Sequence, residues 1–183
     1  VKELVYLIGE PGAGKSTLMC ALTDQCARLS RRRPFAHDLL VRSREVVAVE
    51  LGRRRAAFSG TDALALSVEP AARSWIAGTD SAVVLGEGDR LATAGFLDAA
   101  TEAGFTVTLV HCAPSEAVAH ERRRLRGSPQ DATWVRGRRT KTARLAERAP
   151  SRGWRLLTDP CTDPPDQVAA RLAERIPALE ALR

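Results

Sequence analysis

Nine residues near the start of the chain, Gly9-Glu10-Pro11-Gly12-Ala13-Gly14-Lys15-Ser16-Thr17, constrain its fold more than any other stretch. They satisfy G-x-x-x-x-G-K-[ST] at every fixed position. The flanks fit as well. Leu4–Ile8 is a short apolar run that reads as a buried strand, and Leu18, Leu22 and Leu29 recur at helical spacing after the loop. A strand entering and a helix leaving a glycine-rich turn is the setting in which backbone N–H groups curl around phosphate. The helix adds the positive end of its dipole at the same point. Gly9, Pro11, Gly12, Ala13 and Gly14 therefore read as the cradle. The Lys15 ammonium reads as the group reaching the β- and γ-phosphates. The Ser16 hydroxyl reads as a Mg²⁺ ligand, and Thr17 lies near the α-phosphate. ATP is the expected nucleotide, with GTP as the alternative.

The rest of the chain alternates strand and helix. The spacing predicts a first helix over Lys15–Leu29, ended by Arg31-Arg32-Arg33-Pro34, because proline disfavours helix at the residue before it. Leu39–Val41 and Glu45–Leu51 read as hairpin arms. Helices are expected over Pro70–Ala77, Leu91–Ala103, Pro114–Arg126, Val135–Arg148 and Asp166–Ile176, with buried strands at Ala82–Leu85, Phe105–His111 and Trp154–Leu157. This order indicates an α/β class, three-layer α/β/α fold whose mainly parallel sheet has about five strands. The 183 residues suit one domain, 1–183.

Composition excludes several classes. No apolar run is long enough to span a bilayer and no signal peptide opens the chain, so no membrane partner and a cytoplasmic location are the expectations. The four cysteines, Cys20, Cys26, Cys112 and Cys161, lack metal-ligand spacing and read as reduced thiols. The net charge of +6 calls for an anionic partner. A kinase handling polyphosphates, a nucleic-acid binder and a chain that is merely arginine-rich all satisfy that charge.

Three classes of phosphate-loop protein compete. A regulatory GTPase reads guanine through Asn-Lys-x-Asp, and this chain contains no asparagine. A motor-type ATPase carries an apolar strand ending in Asp-Glu, which is missing here. A kinase needs arginines near a segment that closes over the transferred group. His120-Glu121-Arg122-Arg123-Arg124-Leu125-Arg126, then Gly127–Trp134, then Arg136, Arg138, Arg139 and Lys141 supply them.

The pattern as a whole resembles the small P-loop kinases, the adenylate-kinase-like and nucleoside-kinase-like group. The likeness rests on Gly-x-Pro-Gly-x-Gly-Lys near the start and on Glu-Arg-x-x-x-Arg ahead of an arginine-bearing lid, here approximately 127–140. It implies a P-loop NTPase fold, with Arg122 and Arg126 as catalytic arginines at the lid edge and Arg136 and Arg139 contacting phosphates across it. One departure is plain. The Asp-Gly-Phe-Pro-Arg element of adenylate kinases is absent, and Glu87-Gly88-Asp89-Arg90 stands roughly in its place.

On the acceptor side, strand ends face the ligand crevice in open α/β sheets, which selects Glu87 and Asp89 after Ala82–Leu85. Asp62, in Phe58-Ser59-Gly60-Thr61-Asp62, is a third candidate for handling the acceptor proton, with helix capping as its structural alternative. Arg53, Arg55 and Phe58 read as contacts for an anionic or planar acceptor, helped by Arg73 and Trp75. Trp134 reads as a stacking surface or as packing for the lid helix. The activity expected from the residues and the resemblance is transfer of the ATP γ-phosphate to a hydroxyl of a nucleotide, nucleoside or similar small metabolite. A hydroxyl on DNA or RNA is one alternative acceptor. A nucleotide-binding switch without transfer chemistry is the other alternative.

Overall fold

The computed structural model describes residues 1–54, 59–127 and 131–183. Its sheet has seven strands in the order β2-β3-β4-β5-β1-β6-β7: Lys2–Ile8 (β1), Ala27–Arg31 (β2), His37–Arg42 (β3), Glu45–Leu51 (β4), Val83–Glu87 (β5), Phe105–Cys112 (β6) and Arg155–Asp159 (β7). Five of them, β4-β5-β1-β6-β7, run parallel. The expected five-stranded parallel core is thus present, and β2 and β3 extend it antiparallel at one edge. β3 and β4 form the expected hairpin. Its turn residues, Ser43 and Arg44, both have positive φ (51° and 69°), the twist a two-residue hairpin turn favours.

The central strand explains the layers. Along β1, Leu4, Tyr6 and Ile8 point into one apolar cluster, and Val5 and Leu7 into the other. Period-2 alternation with both sides apolar requires cover on both faces. On the Tyr6 side the cover comes from Glu69–Gly78 (α2), Ala94–Glu102 (α3) and Ala132–Arg148 (α5), through Ala72, Ile76, Phe96, Leu97 and Leu145. On the Val5 side it comes from Lys15–Thr23 (α1) and Pro165–Arg175 (α6), through Leu18, Leu22, Val168 and Leu172. Glu116–Leu125 (α4) buries only Ala119 and lies against the phosphate-binding loop. No helix among the described residues is long and apolar enough to cross a membrane.

One expectation is corrected. The first helix ends at Thr23, not at Leu29. Leu29 belongs to edge strand β2, pairs with Leu39 and is exposed. Leucine spacing fitted a helix, but residues 27–31 gain a ladder against β3 and turn Arg28 inward onto Asp38 (2.8 Å) and Glu50.

Candidate active site

Every parallel strand delivers its C-terminal end to one edge of the sheet, and the chemistry gathers there. β1 ends at Ile8 and the loop 9–14 follows. Gly12 and Gly14 have φ of 85° and 97°, a region that favours glycine. A Cβ on Gly12 would stand 2.4 Å from the Ala119 carbonyl oxygen, so α4 packs directly on the loop backbone. Lys15 Nζ donates to the carbonyls of Gly9 (2.8 Å) and Glu10 (3.1 Å), which holds the ammonium over the loop. No acidic residue occupies the first turn of α1.

Glu87 closes the site from β5, the strand beside β1. It is 2% exposed. Burial raises its pKa, while Lys15 and the Ser16 hydroxyl lower it and Asp62 raises it further. The Tyr6↔Gly86 register explains why Glu87 faces this way. A Cβ on Gly86 would lie 2.5 Å from the Tyr6 ring, so glycine leaves room for the ring and the next side chain turns to the opposite face, toward α1. Tyr6 Oη in turn bonds Thr61 Oγ1 (2.9 Å) and donates to the Gly88 carbonyl (3.2 Å), tying three segments together.

Asp62 arrives on a crossing loop. Gly52 and Gly60 (φ 93° and 64°) bring the loop so close that a Cβ on Gly60 would stand 2.6 Å from the Glu87 carbonyl oxygen. Asp62 Oδ1 accepts from the Asp89 backbone N–H at 2.8 Å. It is the middle residue of a short 3-10 turn, Thr61–Ala63, which has no side-chain cap. The structure therefore joins Asp62, Glu87 and Asp89 at one strand end. Asp89 pairs with Arg138 and with Lys141 (3.0 Å), and so fastens β5 to α5.

The arginines sort into groups. Arg122 donates to the carbonyls of Cys161 (2.6 Å) and Ala13 (3.4 Å), bridging the phosphate loop to the segment after β7. With Arg126, Gly14, Thr17, Cys161, Asp163 and Pro165 it lines a slot of 170 Å³ beside the first turn of α1. Arg139 donates to Glu10 Oε2 (3.0 Å), as does Arg123 (3.3 Å). Arg136 is exposed and lines a separate groove between α3 and α5. Trp134 is 37% exposed, with the Arg138 guanidinium 4.9 Å from its ring centre. Arg53 forms a backbone bridge with Gly60; Arg55 and Phe58 lie outside the described residues. Trp75 packs on Phe35 and His37. Of the expected lid, approximately 127–140, the described residues are Gly127, Asp131 and the first half of α5.

A family model, P-loop Nucleotide Kinase3, matches residues 1–175. The chain belongs to that family. It is therefore a P-loop kinase that binds a nucleotide. Among solved structures, a sugar kinase from Janibacter sp. HTCC2649 in unliganded form is similar, at 15% identity and a TM-score of 0.47 over 100% of this chain and 98% of that one. No curated protein matches the chain.

Three elements of this kinase's site were not singled out from sequence. Glu10 occupies a variable position of the loop motif, yet it is 8% exposed and gathers Arg123 and Arg139. Tyr6 read only as a strand residue. The segment after β7 was readable in principle, because it too follows the end of a parallel strand.

Proposed function

We propose that this kinase transfers the γ-phosphate of ATP to a hydroxyl of a nucleotide, nucleoside or similar small metabolite. The observation that carries the reading is a buried carboxylate, Glu87, facing both Ser16 and Lys15 from the strand next to β1. Mg²⁺ is held in such sites by one or two protein oxygens together with phosphate oxygens and water. Ser16 supplies one such oxygen, and Glu87 a carboxylate to hold a coordinated water. The fit is chemical as well as spatial: a carboxylate buried beside a hydroxyl and an ammonium gains most when a divalent cation arrives. When bound, Mg²⁺ would neutralise charge on the phosphate oxygens as the bond to the leaving oxygen breaks.

The chain's own groups supply the rest. The loop N–H groups and Lys15 grip the β- and γ-phosphates. With the phosphates so placed and the α-phosphate near Thr17, the nucleobase falls in the slot walled by Arg122 and Arg126. Arg139, held by Glu10 beside the loop, and Arg123 face the transferred group. Asp62 is the half-exposed carboxylate left to accept the acceptor's proton, because Asp89 is engaged by Arg138 and Lys141. The first half of α5 serves as the lid.

A transfer screen tests this reading. The protein with Mg·ATP is presented with nucleosides, nucleotides and sugars, and products are read by mass. A product heavier by one phosphoryl group, formed with release of ADP, is the expected result. Saturable ATP binding with no transfer to any hydroxyl would favour a switch without transfer chemistry.

A further inference from the structure

Residues 116–148 carry ten arginines and lysines against four acids, so this segment alone accounts for the chain's formal +6. Many of those charges are used internally. Arg123 and Arg139 hold Glu10, Arg124 holds Glu121, and Arg138 and Lys141 hold Asp89. Arg136, Arg144 and Arg148 are different: among the described residues none pairs with a carboxylate, and all three are exposed. At spacings of eight and four they share one face of α5. Together with Lys141 they line a groove of 790 Å³ between α5 and the start of α3, and among the described residues no acidic side chain lines it. Gly137 also lines it, and a Cβ there would meet nothing within 4 Å.

The groove has two neighbours that bare charge does not explain. At one end the lining residue Thr133 is followed in α5 by Trp134, a partly exposed indole with Arg138 against its ring. Through Lys141 and Arg138 the same helix reaches Asp89 at the acceptor edge. A cationic groove with an exposed aromatic at one end is the combination that binds single-stranded nucleic acid, backbone on the cations and base on the ring. We infer that the α3/α5 groove binds a single-stranded polynucleotide and leads one of its nucleotides toward the acceptor edge. From Arg136 to Arg148 the helix rises about 18 Å, enough to lie along a short run of nucleotides. The inference rests on the kinase reading only for the strand's destination. The binding itself needs no phosphoryl transfer.

The test is fluorescence anisotropy of a labelled twenty-nucleotide thymidine oligomer with the full chain, without ATP, at several salt concentrations. Wild type is expected to bind with a steep salt dependence. Arg144→Glu/Arg148→Glu is expected to weaken binding at least tenfold, with Mg·ATP affinity and melting temperature unchanged. The milder Arg144→Gln/Arg148→Gln is expected to lower the slope of log K against log salt by about 1.4. Trp134→Ala is expected to weaken binding about tenfold at unchanged slope. Equal binding by wild type and the charge-reversed pair would overturn the inference. So would displacement of the oligomer by poly-glutamate of equal charge as effectively as by unlabelled oligomer, since that would assign an acidic protein segment to the groove. Phosphorylation of free nucleosides without oligomer binding would sink the groove and leave the kinase reading intact. Oligomer binding with no transfer to any hydroxyl would do the reverse.

Discussion

The two halves of the active edge are built differently. The half proposed to hold the donor, loop 9–14 and the start of α1, is made of backbone and of residues adjacent in sequence. Lys15 bonds carbonyls five and six residues away, and Gly12 and Gly14 hold conformations that need no distant partner. The half proposed to handle the acceptor is assembled across long separations. Asp62 bonds the Asp89 amide, Tyr6 bonds Thr61 and Gly88, and Lys141 bonds Asp89. Local backbone geometry can be specified by a short motif. A constellation of side chains on four elements cannot, and it is free to differ between proteins that share the same donor loop.

Separating donor from acceptor function puts that contrast at risk. The largest effect is expected from Asp62→Asn. Removing a general base costs about 10²–10⁴ in turnover, while Mg·ATP affinity stays within a few-fold of wild type. Asp89→Asn, which loosens only an ion-paired anchor, is expected to lower turnover by less than tenfold. Steady-state rates beside nucleotide titrations measure both. If Asp62→Asn lost donor binding as well, the two halves would not be separable.

A smaller effect, of opposite sign on stability, is expected from Glu87→Gln. Burial raises the Glu87 pKa in the fold, with Asp62 adding to the rise, so the native state holds the proton more tightly than the unfolded chain. Raising the pH from the ordinary carboxylate value of 4.5 through the raised folded value therefore charges the buried group and costs stability. Glu87→Gln removes that cost. Its melting temperature without nucleotide is expected to exceed wild type at pH 7, and the gain should vanish below pH 4.5. Mg·ATP should stabilise wild type more than the variant. A variant less stable than wild type at pH 7 would mean that Glu87 holds the fold together rather than serving the site.

The same contrast explains what the amino-acid sequence made legible. The glycines and Lys15 of the loop were legible, because their backbone angles and the Lys15 contacts answer to local requirements. The parallel core followed from alternating apolar runs and helices. β2 did not, because the Leu18, Leu22 and Leu29 spacing fits a helix and only pairing with β3 decides otherwise. Glu87, Asp89 and Asp62 were selected by a general rule on strand ends and by an acidic loop. Their order of engagement needed Arg138, Lys141 and the Asp62–Asp89 bond. Glu10 was hidden for a related reason. Its position in the motif is variable, and its role appears only when α4 and α5 bring Arg123 and Arg139 to it.

The central claim is that Lys15, Ser16 and the loop amides hold the terminal phosphates of ATP for transfer. Titration of wild type and Lys15→Ala with Mg·ATP, followed by turnover on whichever acceptor the screen identifies, tests it most directly. Saturable binding by wild type and a loss of about 10²–10³ or more in turnover for Lys15→Ala are expected. Turnover by Lys15→Ala at the wild-type rate, or no saturable binding of Mg·ATP by wild type, would contradict it.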